Sequence, residues 1–285
     1  MPAILTELLD HLALEQLERF LFRGESRDIG SPRVFGGQVL AQALSAALTT
    51  VKERPVHSLH AYFLRAGDIK SPIVYEVDRA RDGLSFSMRR VTAIQHGRQI
   101  FNLSASFHKA EQGLEHQFLM PDVKPPAALP DAQAFVTKMG QRMAPALRDF
   151  YLRERPFEFR FGWGEPLGEG TGPDPKTYLW FKTRGSPPND DDLHRTLLAY
   201  VSDYHLIRTA TLAHDVQFGD QRVQLASLDH AMWFHRDVRV DDWLLYTMDS
   251  PNTKGSRGLA RGMIYNQSGE LVASTAQEGL VRVLD

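Results

Sequence analysis

A carboxylate, a hydroxyl and a carboxamide stand at Asp203, Ser227 and Gln277, in the second half of this 285-residue sequence. These three types can hold and activate one water. The carboxylate accepts its proton, while the hydroxyl and amide fix its lone pairs. Asp203 falls within Tyr200-Val201-Ser202-Asp203-Tyr204 on a predicted long helix, with Thr196, Ala199 and Tyr200 as near neighbours on one face. That setting predicts a partly buried carboxylate. Ser227 opens a predicted strand in Leu225-Ala226-Ser227-Leu228-Asp229-His230, and Gln277 sits on the last one in Ser274-Thr275-Ala276-Gln277. The same trio would serve equally as a buried hydrogen-bond cluster tying helix to sheet. The residues alone leave both readings open.

Other chemistries are set aside by what the sequence lacks. Without cysteine there is no disulfide, no thiolate nucleophile and no cysteine-ligated metal. Gly83-Leu84-Ser85 lacks the second glycine of a nucleophile elbow, and 168–172, the densest glycine run, reads as a loop rather than a phosphate cradle. His57 and His60 would face opposite sides of a strand, as would His230 and His235, so no metal site is expected and no cofactor is implied. Ser227 and Asp229 would share one strand face, with His230 pointing away, which argues against a Ser–His–Asp arrangement. Lys plus Arg total 33 against 35 for Asp plus Glu, so no basic excess marks a nucleic-acid binder. No run reaches the ~18 apolar residues of a membrane span. The N-terminus lacks a basic n-region and an unbroken apolar stretch, so no signal peptide is expected, and Val283-Leu284-Asp285 is not a peroxisomal address. The expectation is a cytoplasmic protein.

The elements that must position the trio follow from periodicity. Leu5, Leu8, Leu9, Leu12, Leu17 and Phe20 predict an amphipathic helix over 4–21. A second helix begins near Gly36-Gly37-Gln38, with Val39, Leu40, Ala43, Leu44, Ala47 and Leu48 recurring at helical spacing. Its alanines narrow one face, where another backbone can approach. Strands follow over 56–65, 73–81, 85–95 and 99–108, with turns at Asp82-Gly83 and His96-Gly97. Prolines interrupt 109–156, leaving one helix over 132–140. The order then repeats. Strands are expected over 157–161 and 178–183. A helix follows, capped by Asp190-Asp191-Asp192, and then strands over 223–234, 243–249, 259–265 and 271–283. Ser58-Leu59-His60-Ala61 resembles Ser227-Leu228-Asp229-His230-Ala231 with one insertion. Two copies of a helix-plus-sheet unit and a single α+β domain both fit this pattern.

Longer strings carry a resemblance that runs nearly end to end: Leu21-Phe22-Arg23-Gly24, Val34-Phe35-Gly36-Gly37-Gln38-Val39, His57-Ser58-Leu59-His60-Ala61-Tyr62-Phe63-Leu64-Arg65, Asp229-His230-Ala231-Met232-Trp233-Phe234-His235-Arg236 and Gln277-Glu278-Gly279. The sequence resembles the acyl-CoA thioesterase II family. The resemblance implies an α+β double hotdog, two long helices each wrapped by an antiparallel sheet, with units at 1–110 and 151–285 and a connector at 111–150. It also implies hydrolysis of fatty acyl-CoA by direct water attack, with Asp203, Ser227 and Gln277 as the catalytic set. Some members of the family carry Thr at the position of Ser227. Backbone N–H groups at Gly36 and Gly37 would polarise the thioester carbonyl from a helix start, although glycines there also permit close helix–sheet packing. Arg65, Arg89, Arg90, Arg236, Arg257 and Arg261 are the candidates for CoA phosphates. A homo-oligomer, with a tetramer favoured, is expected on the same ground. The alternatives are a hotdog hydratase or dehydratase on acyl thioesters and a non-catalytic acyl-CoA-binding protein.

Overall fold

A computed structural model describes residues 1–139, 145–162, 175–214, 216, 220 and 222–284; the glycine run 168–172 lies outside them. The first half contains α1 (Ala3–Leu12), β1 (Glu15–Glu18), β2 (Leu21–Gly24), α2 (Gly36–Thr49), β3 (Val56–Phe63), β4 (Ile73–Asp82), β5 (Phe86–Gln95) and β6 (Arg98–His108). After α3 (Ala132–Met139) and α4 (Pro145–Leu152) come β7 (Phe157–Phe161), β8 (Lys176–Thr183), α5 (Asp191–Ser202), β9 (Val223–Ser227), β10 (Asp229–Phe234), β11 (Leu244–Lys254), β12 (Arg257–Tyr265) and β13 (Leu271–Val283).

All strands join one antiparallel sheet in the order β1-β2-β4-β5-β6-β3-β10-β13-β12-β11-β8-β7, with β9 also paired to β13. Read inward from either edge, the halves match: β1-β2-β4-β5-β6-β3 corresponds to β7-β8-β11-β12-β13-β10. The junction is β3 against β10, where Leu59 stands opposite Met232. The β5–β6 hairpin turns on His96 and Gly97, both with φ in the left-handed region at 51° and 70°, as a tight two-residue turn requires.

One apolar core holds both central helices. Leu40, Ala43, Leu44 and Ala47 of α2 are fully buried, as are Leu197, Leu198 and Ala199 of α5. The start of α2 meets the end of α5. A Cβ at Gly37 would overlap the Tyr200 carbonyl oxygen, so this glycine lets two helix backbones approach, rather than a helix and a sheet. Phe35 packs against Tyr200 and Tyr204, with ring centroids 5.2 and 4.6 Å apart. Asp190 caps α5, accepting from the amides of Asp192 and Leu193. The connector crosses the other face of the second half-sheet. There Trp180 Nε1 donates to the Lys124 carbonyl at 2.9 Å, over a second apolar layer that includes Leu129, Tyr178 and Tyr265.

Three expectations are corrected. The N-terminal helix ends at Leu12, because the chain turns into the β1–β2 hairpin, which pairs with β4 and buries Phe22. A second connector helix, α4, starts at Pro145, since proline suits a first helical turn where its missing N–H is no loss. The strand expected over 223–234 is broken at Leu228. No helix among the described residues is long and apolar enough to cross a membrane.

Candidate active site

Asp203 is the C-cap of α5 and not a residue within the helix. Its carboxylate therefore leaves the helix end and reaches across to the start of α2. The Gly37 amide, one of the N-terminal donors without an intrahelical acceptor, hydrogen bonds to it. Gly36 flanks the same carboxylate: a Cβ there would lie 2.6 Å from Asp203 Oδ2.

Gln277, buried on β13, donates from Nε2 to Asp203 Oδ1 at 2.7 Å and to Ser227 Oγ at 2.9 Å. Both of its N–H groups are thereby used. Its Oε1 is buried without a partner among the described residues. The Ser227 hydroxyl also hydrogen bonds to the Asp203 carboxyl. The three residues thus form one connected set, with donors converging on a carboxylate.

Ser227 reaches this set through a β-bulge. Gly279 pairs with Ser227, but Ala276 pairs with Ala231, so the register along β13 slips by one residue between β9 and β10. A one-residue slip moves a side chain to the other face. Ser227, the last residue of β9 rather than the first of a strand, faces inward with Gln277. Asp229 is turned to accept the Glu278 amide at 2.7 Å. His230 also faces inward, but its Nε2 lies 2.9 Å from Ser202 Oγ. The sharing of a face expected for Ser227 and Asp229 is therefore corrected by the bulge. No Ser–His–Asp chain forms, since Asp229 and His230 are engaged elsewhere.

Burial raises the Asp203 carboxyl to about 6, against the lowering effect of the hydrogen bonds from Gln277, Gly37 and Ser227. Such a group is a carboxylate at neutral pH, yet basic enough to take a proton in a reaction. It is not sealed off. Asp203, Ser227 and Gly36 open onto a cleft of about 510 Å³ whose walls include Phe35, Phe63 and Ile207. The cleft pairs an apolar wall with a few convergent polar groups, as small-molecule sites do.

Of the six arginines singled out in the sequence, Arg65 alone lines this cleft among its described residues; its Nη1 donates to the Gln99 carbonyl. Arg33 and Arg208, which sequence reasoning passed over, line it too. Arg208 lies in a short 3-10 turn (Ile207–Thr211) that follows Asp203, and that proximity in sequence was the available signal. Arg89 is a correction. It is buried, reaching Thr50 Oγ1 at 2.8 Å and Asp82 at 2.9 Å, and so clamps the C-cap of α2. Arg90 is exposed on β5. Arg236 donates to the Leu271 carbonyl, Arg257 pairs with Glu278, and Arg261 forms a two-pronged pair with Asp249. No group of three or more metal-ligating side chains is found among the described residues.

Residues 147–280 match the acyl-CoA thioesterase family, and residues 23–108 match the acyl-CoA thioesterase N-terminal domain. An acyl-CoA thioesterase 2 from Haemophilus influenzae is 44% identical over 283 residues, covering 99% of both chains. The chain belongs to the acyl-CoA thioesterase family. Within that family, the crystal structure of an acyl-CoA thioesterase II from Mycobacterium marinum superposes with a TM-score of 0.81 at 40% identity, over 97% of this chain and 98% of that one. A hotdog-fold protein from Alicyclobacillus acidocaldarius superposes with a TM-score of 0.76 at 22% identity, over 98% and 99% of the two chains. The last likeness speaks to fold alone: this thioesterase family member has the α+β architecture of hotdog-fold proteins.

Proposed function

We propose that this chain hydrolyses fatty acyl-CoA to free acid and CoA by direct attack of water, with Asp203 as general base. The observation that carries the proposal is the bonding of Asp203, Ser227 and Gln277 to one another at the wall of an open cleft. In the reaction, water gives a proton to Asp203 as its oxygen bonds to the thioester carbon. The tetrahedral oxyanion collapses, the C–S bond breaks, and the CoA thiolate takes up the proton. Ser227 orients the water. Gln277 acts one step back, because both of its N–H groups hold Asp203 and Ser227 in place. His230, the histidine nearest Ser227 in sequence, turns its Nε2 to Ser202 Oγ and so does not serve Ser227 as a base, which favours water over an acyl-enzyme.

Carbonyl polarisation is assigned to Gly36, since the Gly37 amide is bound to Asp203. Arg65 and Arg33, which line the cleft, would meet the phosphates of CoA, with Arg208 held nearby by the Tyr151 hydroxyl. The matching strand orders support reading the fold as two hotdog units, 1–110 and 151–285, joined by 111–150. A cytoplasmic homo-oligomer, with a tetramer favoured, completes the reading.

Thiol release from a panel of acyl-CoA esters tests the proposal. Release of free CoA that falls about 10²–10⁴-fold in Asp203→Asn supports it. A change in double-bond absorbance without thiol release would indicate a hydratase. Binding of acyl-CoA with neither signal would indicate a binding protein.

A further inference from the structure

Behind the Asp203 set lies a second polar network that touches neither the cleft nor the carboxylate. Ser202, the last residue of α5, is fully buried. Its Oγ lies 2.9 Å from the Ala199 carbonyl and 2.9 Å from His230 Nε2. Its carbonyl accepts the Tyr246 hydroxyl at 3.0 Å, and that hydroxyl lies 2.8 Å from Thr275 Oγ1. His230, Tyr246 and Thr275 are exposed by 0%, 1% and 3%, so water does not substitute for these bonds.

The protons in this network can be assigned by elimination. A carbonyl only accepts, so the Tyr246 proton goes to Ser202. Tyr246 must then accept from the Thr275 hydroxyl. Burial holds the Tyr246 phenol well above its ordinary value, with the nearby Asp203 charge adding to the shift, so it remains a donor. Burial also pushes His230 down to about 4, which keeps it neutral. With the Ser202 proton on the Ala199 carbonyl, Nε2–H of His230 donates to Ser202 Oγ.

The fold makes room for this arrangement. A Cβ at Gly262 would overlap the Tyr246 ring and lie 2.7 Å from Thr275 Oγ1. The absence of a side chain at Gly262 on β12 therefore lets the tyrosine lie over the strand and reach the helix end. The network's strands are also those of the site. Thr275 precedes Gln277 by two residues on β13, and His230 follows the bulge that turns Ser227 inward. The last carbonyls of a helix lack intrahelical donors. Here Tyr246 supplies one to the residue directly before Asp203.

We infer that Tyr246, supported by Thr275 and with His230 on the serine hydroxyl, is a positioning residue that fixes the direction in which Asp203 leaves α5. Without its hydroxyl the Ser202 carbonyl is left buried and unpaired. The helix end then shifts to find another partner, and the carboxylate moves relative to Ser227 and Gln277. Displacements of about 1 Å away from the chemistry can cost about a hundredfold in rate.

This inference rests on the hydrolase reading for its kinetic arm and on Asp203 itself for a second arm. In Tyr246→Phe, kcat for acyl-CoA is expected to fall at least about tenfold with KM within about twofold. In an Asp203→Asn background the same change is expected to cost nothing more, because the tyrosine acts through that carboxylate. Tyr265→Phe, the same deletion on the opposite face of the sheet, is the control and is expected to leave kcat unchanged. The second arm follows the Asp203 carboxyl by 13C NMR across pH. Its midpoint is expected to move from about 6 toward the ordinary carboxylate range in Tyr246→Phe, as water reaches a loosened group. A folded Tyr246→Phe with wild-type kcat and an unmoved Asp203 midpoint would overturn the inference, as would a loss that multiplies fully onto Asp203→Asn. Failure of the hydrolase reading looks different: the wild type releases no CoA, while the Asp203 midpoint still moves in the variant and supports the positioning role.

Discussion

Gln277 Nε2 lies 2.7 Å from Asp203 Oδ1, and that bond ties the last strand to the end of the second central helix. The contact needs a donor on the strand side. Gln277→Glu keeps the shape but sets a carboxylate against a carboxylate. Two acids sharing a site cannot both ionise readily, so one of them titrates upward. The expected result is a loss of about 10²-fold or more in kcat at neutral pH, with the rising limb of the pH–rate profile displaced to higher pH. Steady-state kinetics across pH will show it; an unchanged limb would mean that Gln277 does not face the base.

The wild-type pH dependence has a definite sign. As the proposed base, Asp203 would act in its ionised form, and burial raises its carboxyl to about 6. Activity should therefore be low at pH 5, rise through a midpoint near 6 and level off above it. A profile that falls over this range would assign the titrating group to an acid role.

The same raised value makes Asp203 a cost to stability at neutral pH. Its folded pKa lies above the ordinary 3.8, so its contribution is fully present below that value and is lost as pH rises through about 6. Asp203→Asn carries no such loss. Urea unfolding should show the variant gaining on the wild type between pH 4 and pH 7.5, on the order of 1 to 3 kcal/mol, while losing activity. A constant difference across that range would mean that the carboxyl is not held in a desolvated site.

At Gly37 the two central helices approach closely. In Gly37→Ala the added methyl meets the Tyr200 carbonyl, a backbone atom that cannot swing away. Separating the helices should cost about 1–3 kcal/mol, and it should lower kcat by drawing the Gly37 amide away from Asp203. Thermal melts and kinetics on one sample check both effects. Gly36→Ala, facing the cleft and Asp203 Oδ2, should disturb catalysis more than stability.

Much of the sheet was legible because its strands alternate and end in turns that only certain residues make, as at His96-Gly97. The helix start at Gly36 and the cap at Asp190 were legible for similarly local reasons. What was hidden depended on pairing at a distance. The β1–β2 hairpin looked helical because Leu17 and Phe20 fall at helical spacing, and only its pairing with β4 decides otherwise. The bulge at Leu228 leaves no mark in residue types, although the one-residue insertion relative to Ser58-Leu59-His60-Ala61 was its trace. Asp203, Ser227 and Gln277 could be noticed as types, but their selection came from the resemblance. Arginine roles were least legible, because Arg89 and Arg65 look alike until burial separates a clamp from a residue at the cleft.

Attack by water and attack by Ser227 differ in one intermediate, an acyl ester on the serine. Rapid mixing of enzyme with acyl-CoA, quenched in acid and followed by mass spectrometry of the intact protein, measures this directly. Water attack predicts CoA release without a burst, unmodified enzyme at every time point, and release slowed about 10²–10⁴-fold in Asp203→Asn. A stoichiometric burst of CoA with an acyl ester on Ser227 would contradict it.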